Sequence, residues 1–102
     1  MKKEKILEAQ KMNMVAFILK TIGHPLRIGV IQLLTDNVEL SVNDLCERLN
    51  AEQSVMSHHL SNMKFKGILG SRREGKQRYY FIKLTEVIKV IECMEKCDLS
   101  HL

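Results

Sequence analysis

Apolar positions in the first third of the chain recur with a helical rhythm. Between residues 4 and 22, Ile6, Met14, Ile18 and Ile22 fall at mainly four-residue steps beside Leu7, Val15 and Leu19, and no breaker interrupts them. Gly23 closes this helix. His24-Pro25 opens a second one, since proline suits the first helical turn. Over roughly 25–35 this helix turns Leu26, Val30, Ile31, Leu33 and Leu34 toward a core, and Asp36-Asn37 signals a turn after it.

Ser41 is suited to cap a short helix over 41–49, with Asp44 helping it start. Val42, Leu45, Cys46 and Leu49 fall on one face of that helix. Asn50-Ala51 breaks it, and a further helix runs from about Glu52 to Lys66, ended by Gly67. After Gly67 the period shortens. ILGSRR, EGKQ and RYYFIK read as a β-hairpin with a charged, glycine-containing tip, with Tyr80 and Ile82 on its core face. Thr85 caps a last helix through about Cys97, with Val87, Val90, Ile91 and Met94 on one side. The expected fold is mainly α with a small β-hairpin, in the order of four helices, two strands and a final helix.

Composition narrows this. The 102 residues, 45% hydrophobic and 27% charged, predict one compact domain over 1–102 whose modest core benefits from a partner subunit. No apolar run approaches the ~20 residues that span a bilayer, and the charged start MKKEKILEAQ leads into no signal-like segment, so a cytoplasmic protein with no membrane partner is expected. The three cysteines, Cys46, Cys93 and Cys97, are an odd set and read as reduced thiols. The chain carries no phosphate-cradling glycine loop and no Cys-His-Asp arrangement, which argues against an enzyme.

Charge changes the picture most. Residues 64–83 hold seven basic side chains against Glu74 alone, a local net charge of +6, whereas the whole chain carries +4. A basic block on a near-neutral body is the footprint of a polyanion partner. The block follows a short helix, a tight turn and a second helix, which is the helix-turn-helix pattern; with the basic hairpin as a wing, the expected fold is a winged helix-turn-helix. A protein-interaction winged helix without specific DNA binding is the alternative, and it predicts a neutral wing.

At about 100° per residue, His58 and His59 point to different sides of their helix, so they do not chelate one metal together. His59 falls in the apolar arc and is expected to be a core or boundary residue bonded to backbone. His58 falls in a polar arc with Ser54, Ser57 and Ser61, small residues that let a helix approach phosphates and base edges closely.

The stretches GHPLRIGVIQLL (23–34), ELSVNDLCERLN (39–50), QSVMSHHLSNMKFKGIL (53–69) and SRREGKQRYYFI (71–82) together resemble the ArsR/SmtB family of bacterial winged-helix repressors. The resemblance implies a homodimer built mainly by the first and last helices, bound to double-stranded DNA and released by an inducer, often a metal ion or an oxidant. It places DNA contacts on Gln53, Ser54, Ser57 and His58, and the wing on Arg73 and Lys76; the charged tip adds Arg78. The inducer positions depart from the family. The Cys-Val-Cys pair of its arsenic and cadmium sensors is Ser41-Val42-Asn43 here. The ligand positions of its zinc sensors align with Leu84, Glu86, Cys97 and Ser100, of which only two can bind metal. Cys93, Cys97 and His101 are spaced at i, i+4 and i+8, a stripe suited to a soft metal ion or an inter-subunit disulfide, or else to packing in the dimer interface.

Overall fold

A computed structural model describes residues 8–100. The elements are helix α1 (Ala9–Ile22), α2 (Pro25–Asp36), strand β1 (Leu40–Ser41), α3 (Val42–Leu49), α4 (Gln53–Phe65), β2 (Leu69–Glu74), β3 (Gln77–Ile82) and α5 (Glu86–Glu95). The helices and the hairpin follow the apolar pattern of the sequence. Four features differ from it: β1 is additional, α1 begins at Ala9 with Glu8 already outside the helix, the Thr85 side chain makes no capping bond at the start of α5, and α5 ends two residues early.

Local chemistry explains the boundaries. His24 caps α2, its Nδ1 accepting the Leu26 N–H at 3.1 Å, and Pro25 follows at a position that needs no N–H donor. Ser41 and Asp44 form a reciprocal capping box at the start of α3. Asn50 ends α3 in the left-handed region at φ 50°, a conformation asparagine tolerates better than most residues. At the hairpin tip, Gly75 at φ +61° precedes Lys76 in a two-residue loop, as a II′ turn requires of its first central residue.

Strand β3 is central in an antiparallel sheet of order β1-β3-β2. Leu40 pairs with Tyr80 and Ser41 with Tyr79, so β1 joins the middle of the hairpin to the first residue of the helix-turn-helix. The core gathers Ile18 and Ile22 from α1, Val30, Ile31 and Leu34 from α2, Leu45 from α3, and Met56, Leu60 and Met63 from α4. Ile68, Leu69 and Tyr80 close it from the sheet side, and Val87 and Ile91 from α5. Burying side chains of this kind contributes about 1.5–3 kcal/mol each, which fixes α4 and the hairpin on a common base.

The last helix stops because its end is captured locally. The Cys97 N–H turns back to the Met94 carbonyl at 3.1 Å, and Asp98 accepts both the N–H and the hydroxyl of Ser100. Cys97 therefore lies beyond the helix, and the expected helical stripe of Cys93, Cys97 and His101 is not continued past Cys93. His101 lies outside the described residues. Both Cys93 and Cys97 are exposed, and among the described residues no group of three His, Cys, Asp or Glu side chains is gathered for a metal ion. No single described helix is long and apolar enough to cross a membrane.

Candidate nucleic-acid interface

Helix α4 buries Met56, Leu60 and Met63 and leaves the opposite side open. On that side Gln53, Ser57, Ser61 and Lys64 follow one another at three- and four-residue steps, the spacing of a single helical stripe. The wing stands across from it. An open groove of about 750 Å³ lies between them, lined on one wall by this stripe, Val42 and Asn43, and on the other by Lys76, Gln77 and Arg78. Phe65 and Tyr80 complete it.

The groove brings together Gln53, Ser57, Lys76 and Arg78 of the expected DNA-contacting set. Ser54 and His58 are exposed on the adjoining flank of α4 and do not line it. Arg73 is exposed on the wing, directly opposite Arg78. Asn43, Ser61, Lys64 and Gln77 are additional lining residues. Ser61 and Lys64 were visible in the sequence as the continuation of the Ser57 stripe; Asn43 and Gln77 required the tertiary arrangement.

Strand parity sorts the basic block. Paired residues of an antiparallel ladder share a face, so Leu69–Ile82, Ser71–Tyr80 and Arg73–Arg78 lie on one side of the hairpin. That side is apolar at the base, where it meets the core, and cationic at the tip. The other side carries Arg72, which pairs with Glu39, donates to Glu74 at 2.8 Å and stacks 4.6 Å from the Tyr79 ring centroid. The hydrogen bond from Arg72 holds the Glu39 carboxyl below its usual value. The +6 block of the sequence is thus partly neutralised by a carboxylate 33 residues away. Among the described residues Arg72 is the only basic side chain in an ion pair, so Lys64, Arg73, Lys76 and Arg78 have no carboxylate partner there.

Behind the recognition surface, α4 is bonded to its neighbours through one guanidinium. Arg27 donates from Nε to His59 Nδ1, and from one Nη to both Asn62 Oδ1 and the Thr21 carbonyl, each at 2.8 Å. His59 is therefore a boundary residue, as its position on the helix predicts, but its bond is to a side chain rather than to backbone. Burial, then the nearby Arg27, His24 and His58, lower its pKa below 6.5.

This is the architecture of a winged helix-turn-helix DNA-binding protein. The family description "Bacterial regulatory protein, arsR family" matches residues 24–70, which run from the cap of α2 to the first wing strand. An HTH-type transcriptional regulator of Methanocaldococcus jannaschii is 33% identical over 86 residues, covering 81% of this chain and 97% of the relative. The transcriptional activator HlyU of Vibrio cholerae is 34% identical over 79 residues, covering 78% of this chain and 72% of the relative. Its solved structure superposes with a TM-score of 0.79 at 30% identity, over 87% of this chain and 96% of that one. The structure of the transcriptional repressor PagR of Bacillus anthracis gives 0.74 at 31% identity, over 85% and 99%. The chain belongs to the ArsR family of bacterial regulatory proteins and is a DNA-binding transcriptional regulator.

Proposed function

We propose that the chain is a homodimeric repressor of the cytoplasm that grips a near-palindromic operator and releases it in response to an inducer. It acts by binding, with no catalytic role. The observation that carries this reading is the groove, where a small, polar helix face is set against Lys76 and Arg78 of the wing, which have no carboxylate partner among the described residues. Gln53, Ser54, Ser57 and His58 enter the major groove from the N-terminal half of α4. Arg73, Lys76 and Arg78 reach the flanking phosphates or minor groove.

Exposed apolar side chains support the dimer: Met12, Met14, Phe17 and Leu19 line α1, and Met94 lies on α5. Apolar side chains left exposed on a helix mark an association surface. A twofold dimer sets two copies of α4 into successive major grooves, about 34–36 Å apart. Because HlyU is named an activator and PagR a repressor, the sense of regulation is our inference for this chain. The exposed thiols of Cys93 and Cys97 are where an oxidant or soft metal ion has access.

Fluorescence-anisotropy titration of the reduced protein against DNA from upstream of its own coding sequence, over a salt series, tests the proposal. Tight binding that exceeds binding to unrelated duplexes and falls steeply with salt supports it. Weak, sequence-indifferent binding would favour a protein partner instead. Loss of inducer response in the paired changes Cys93→Ser and Cys97→Ser assigns the sensing role; an unchanged response removes both thiols from it.

A further inference from the structure

Arg27 holds together three helices that have different tasks. Its guanidinium starts from the first turn of α2, reaches back to the last turn of α1 at the Thr21 carbonyl, and reaches forward to His59 and Asn62 of α4. Three donor contacts at 2.8 Å from one planar cation fix direction as well as distance, because the guanidinium fork cannot rotate one N–H without displacing the others. His59 and Asn62 are one helical turn apart, so Arg27 grips α4 at two successive positions. The apolar face of α4 alone does not determine its rotation to this degree, since Met56 and Met63 are unbranched and adaptable.

The bond to His59 depends on protonation. Its Nδ1 accepts from a permanently charged donor, so that nitrogen must keep its lone pair. His24 has the same requirement, its Nδ1 accepting the Leu26 N–H, and the two rings are 4.4 Å apart. A proton on His59 Nδ1 both removes the acceptor and sets a second positive charge against Arg27. The charged and titratable groups facing His59 are Arg27 and His24 at the start of α2 and His58 on α4 itself. Helix α1 contributes the Thr21 carbonyl, which Arg27 already occupies. Among the described residues no carboxylate lies within ion-pair distance of these four side chains to offset the added charge.

We propose that Arg27 and His59 form a proton-sensitive clamp that sets the orientation of the recognition helix, so that acidification weakens operator binding by loosening α4. Arg27 and His59 are positioning residues here; neither lines the groove. The inference rests on the DNA-binding reading for its consequence but not for the clamp itself. The direction follows from the chemistry of the site. The folded protein favours neutral His59, so the clamp is complete above 6.5 and is lost as pH falls through the lower folded-state value.

The test is one pH series, run downward from about pH 7.5 through 6.5 to the lowest pH at which the protein stays folded, and read in two ways. The first follows the Arg27 Nε–H resonance by NMR in DNA-free protein. The second measures the Kd for an operator duplex. The clamp predicts a protected Nε–H signal at the upper end that disappears with a midpoint below 6.5. It also predicts a loss of affinity in the same window, roughly tenfold per protomer for each pH unit below that midpoint. In His59→Asn, whose amide oxygen offers an acceptor near the Nδ1 position without titrating, both changes vanish. Should that variant not fold, Arg27→Met removes both the charge and the donors; it binds DNA more weakly at the upper pH and loses the pH dependence. A resonance that persists unchanged to the lower pH, or an identical affinity profile in His59→Asn, overturns the clamp. Absence of operator binding at every pH would refute the DNA-binding reading, and the resonance would still decide the clamp.

Discussion

Arg73 and Arg78 stand directly opposite each other across the two wing strands, on the face that continues into the recognition groove. Like charges in such a cross-strand pair destabilise a hairpin by a few tenths of a kcal/mol. Arg73→Ala is therefore expected to leave the urea midpoint unchanged or slightly raised. Its affinity for all duplexes falls, and the salt slope of log K drops by about one unit per wing. A loss of stability without loss of DNA affinity would show that Arg73 serves the fold instead.

Gln53 and Lys76 line the same groove and are expected to fail in different ways. Gln53→Ala relaxes sequence preference, with a cost of about 1–3 kcal/mol on the operator and little on random DNA, as for a bidentate base contact. Lys76→Ala weakens every duplex alike, as for a phosphate contact. Competition titrations with single-base operator variants separate the two.

The Glu39–Arg72 pair draws one cation away from the wing. Glu39→Gln removes one of the two carboxylates that hold Arg72 and leaves Glu74, so non-specific DNA binding is expected to rise modestly and its salt dependence to steepen. The same release occurs in the native protein as pH falls through the depressed Glu39 carboxyl value, below 4.5, because the ion pair is complete only above it. A non-specific Kd identical in both proteins at neutral pH would show that Arg72 already faces DNA.

Much of this arrangement was readable before the structure, and what escaped shares one cause. Helices α1 to α4 announced themselves through apolar spacing, and the wing through a change of period at Gly67. Strand β1 did not, because two residues cannot display an alternation. Its Ser41 carried a stronger signal as a helix cap, and it is both. The end of α5 was overextended because Cys93 and Cys97 keep helical spacing while the Asp98 side chain binds Ser100 and favours a turn. The partner of His59 was unreadable because Arg27 lies 32 residues away, and the same holds for Arg72 and Glu39. Periodicity reports which face a residue takes; it carries no information about which distant side chain meets it there.

Thiol labelling checks the packing beneath the helix-turn-helix. Burial against the core pushes the Cys46 thiol up, so less of it is thiolate near neutral pH. Iodoacetamide followed by peptide mass spectrometry is expected to modify exposed Cys93 and Cys97 well before Cys46. Equal rates would place Cys46 outside the packed face of α3.

Ser41→Ala removes half of the capping box and is expected to cost about 1 kcal/mol, read as a lower urea midpoint with an unchanged slope.

Ser41 has a wider consequence through its pairing with Tyr79. One residue begins the helix-turn-helix and closes the ladder that carries the wing, so the two jaws of the groove form a single stiff tool. Such a tool meets its target with its shape already set, and little chain entropy is lost when it closes on DNA. Calorimetry should accordingly find a heat-capacity change of docking size, far short of a segment folding on contact. Adaptation at the operator would then fall to the duplex, through its own bending, more than to the protein.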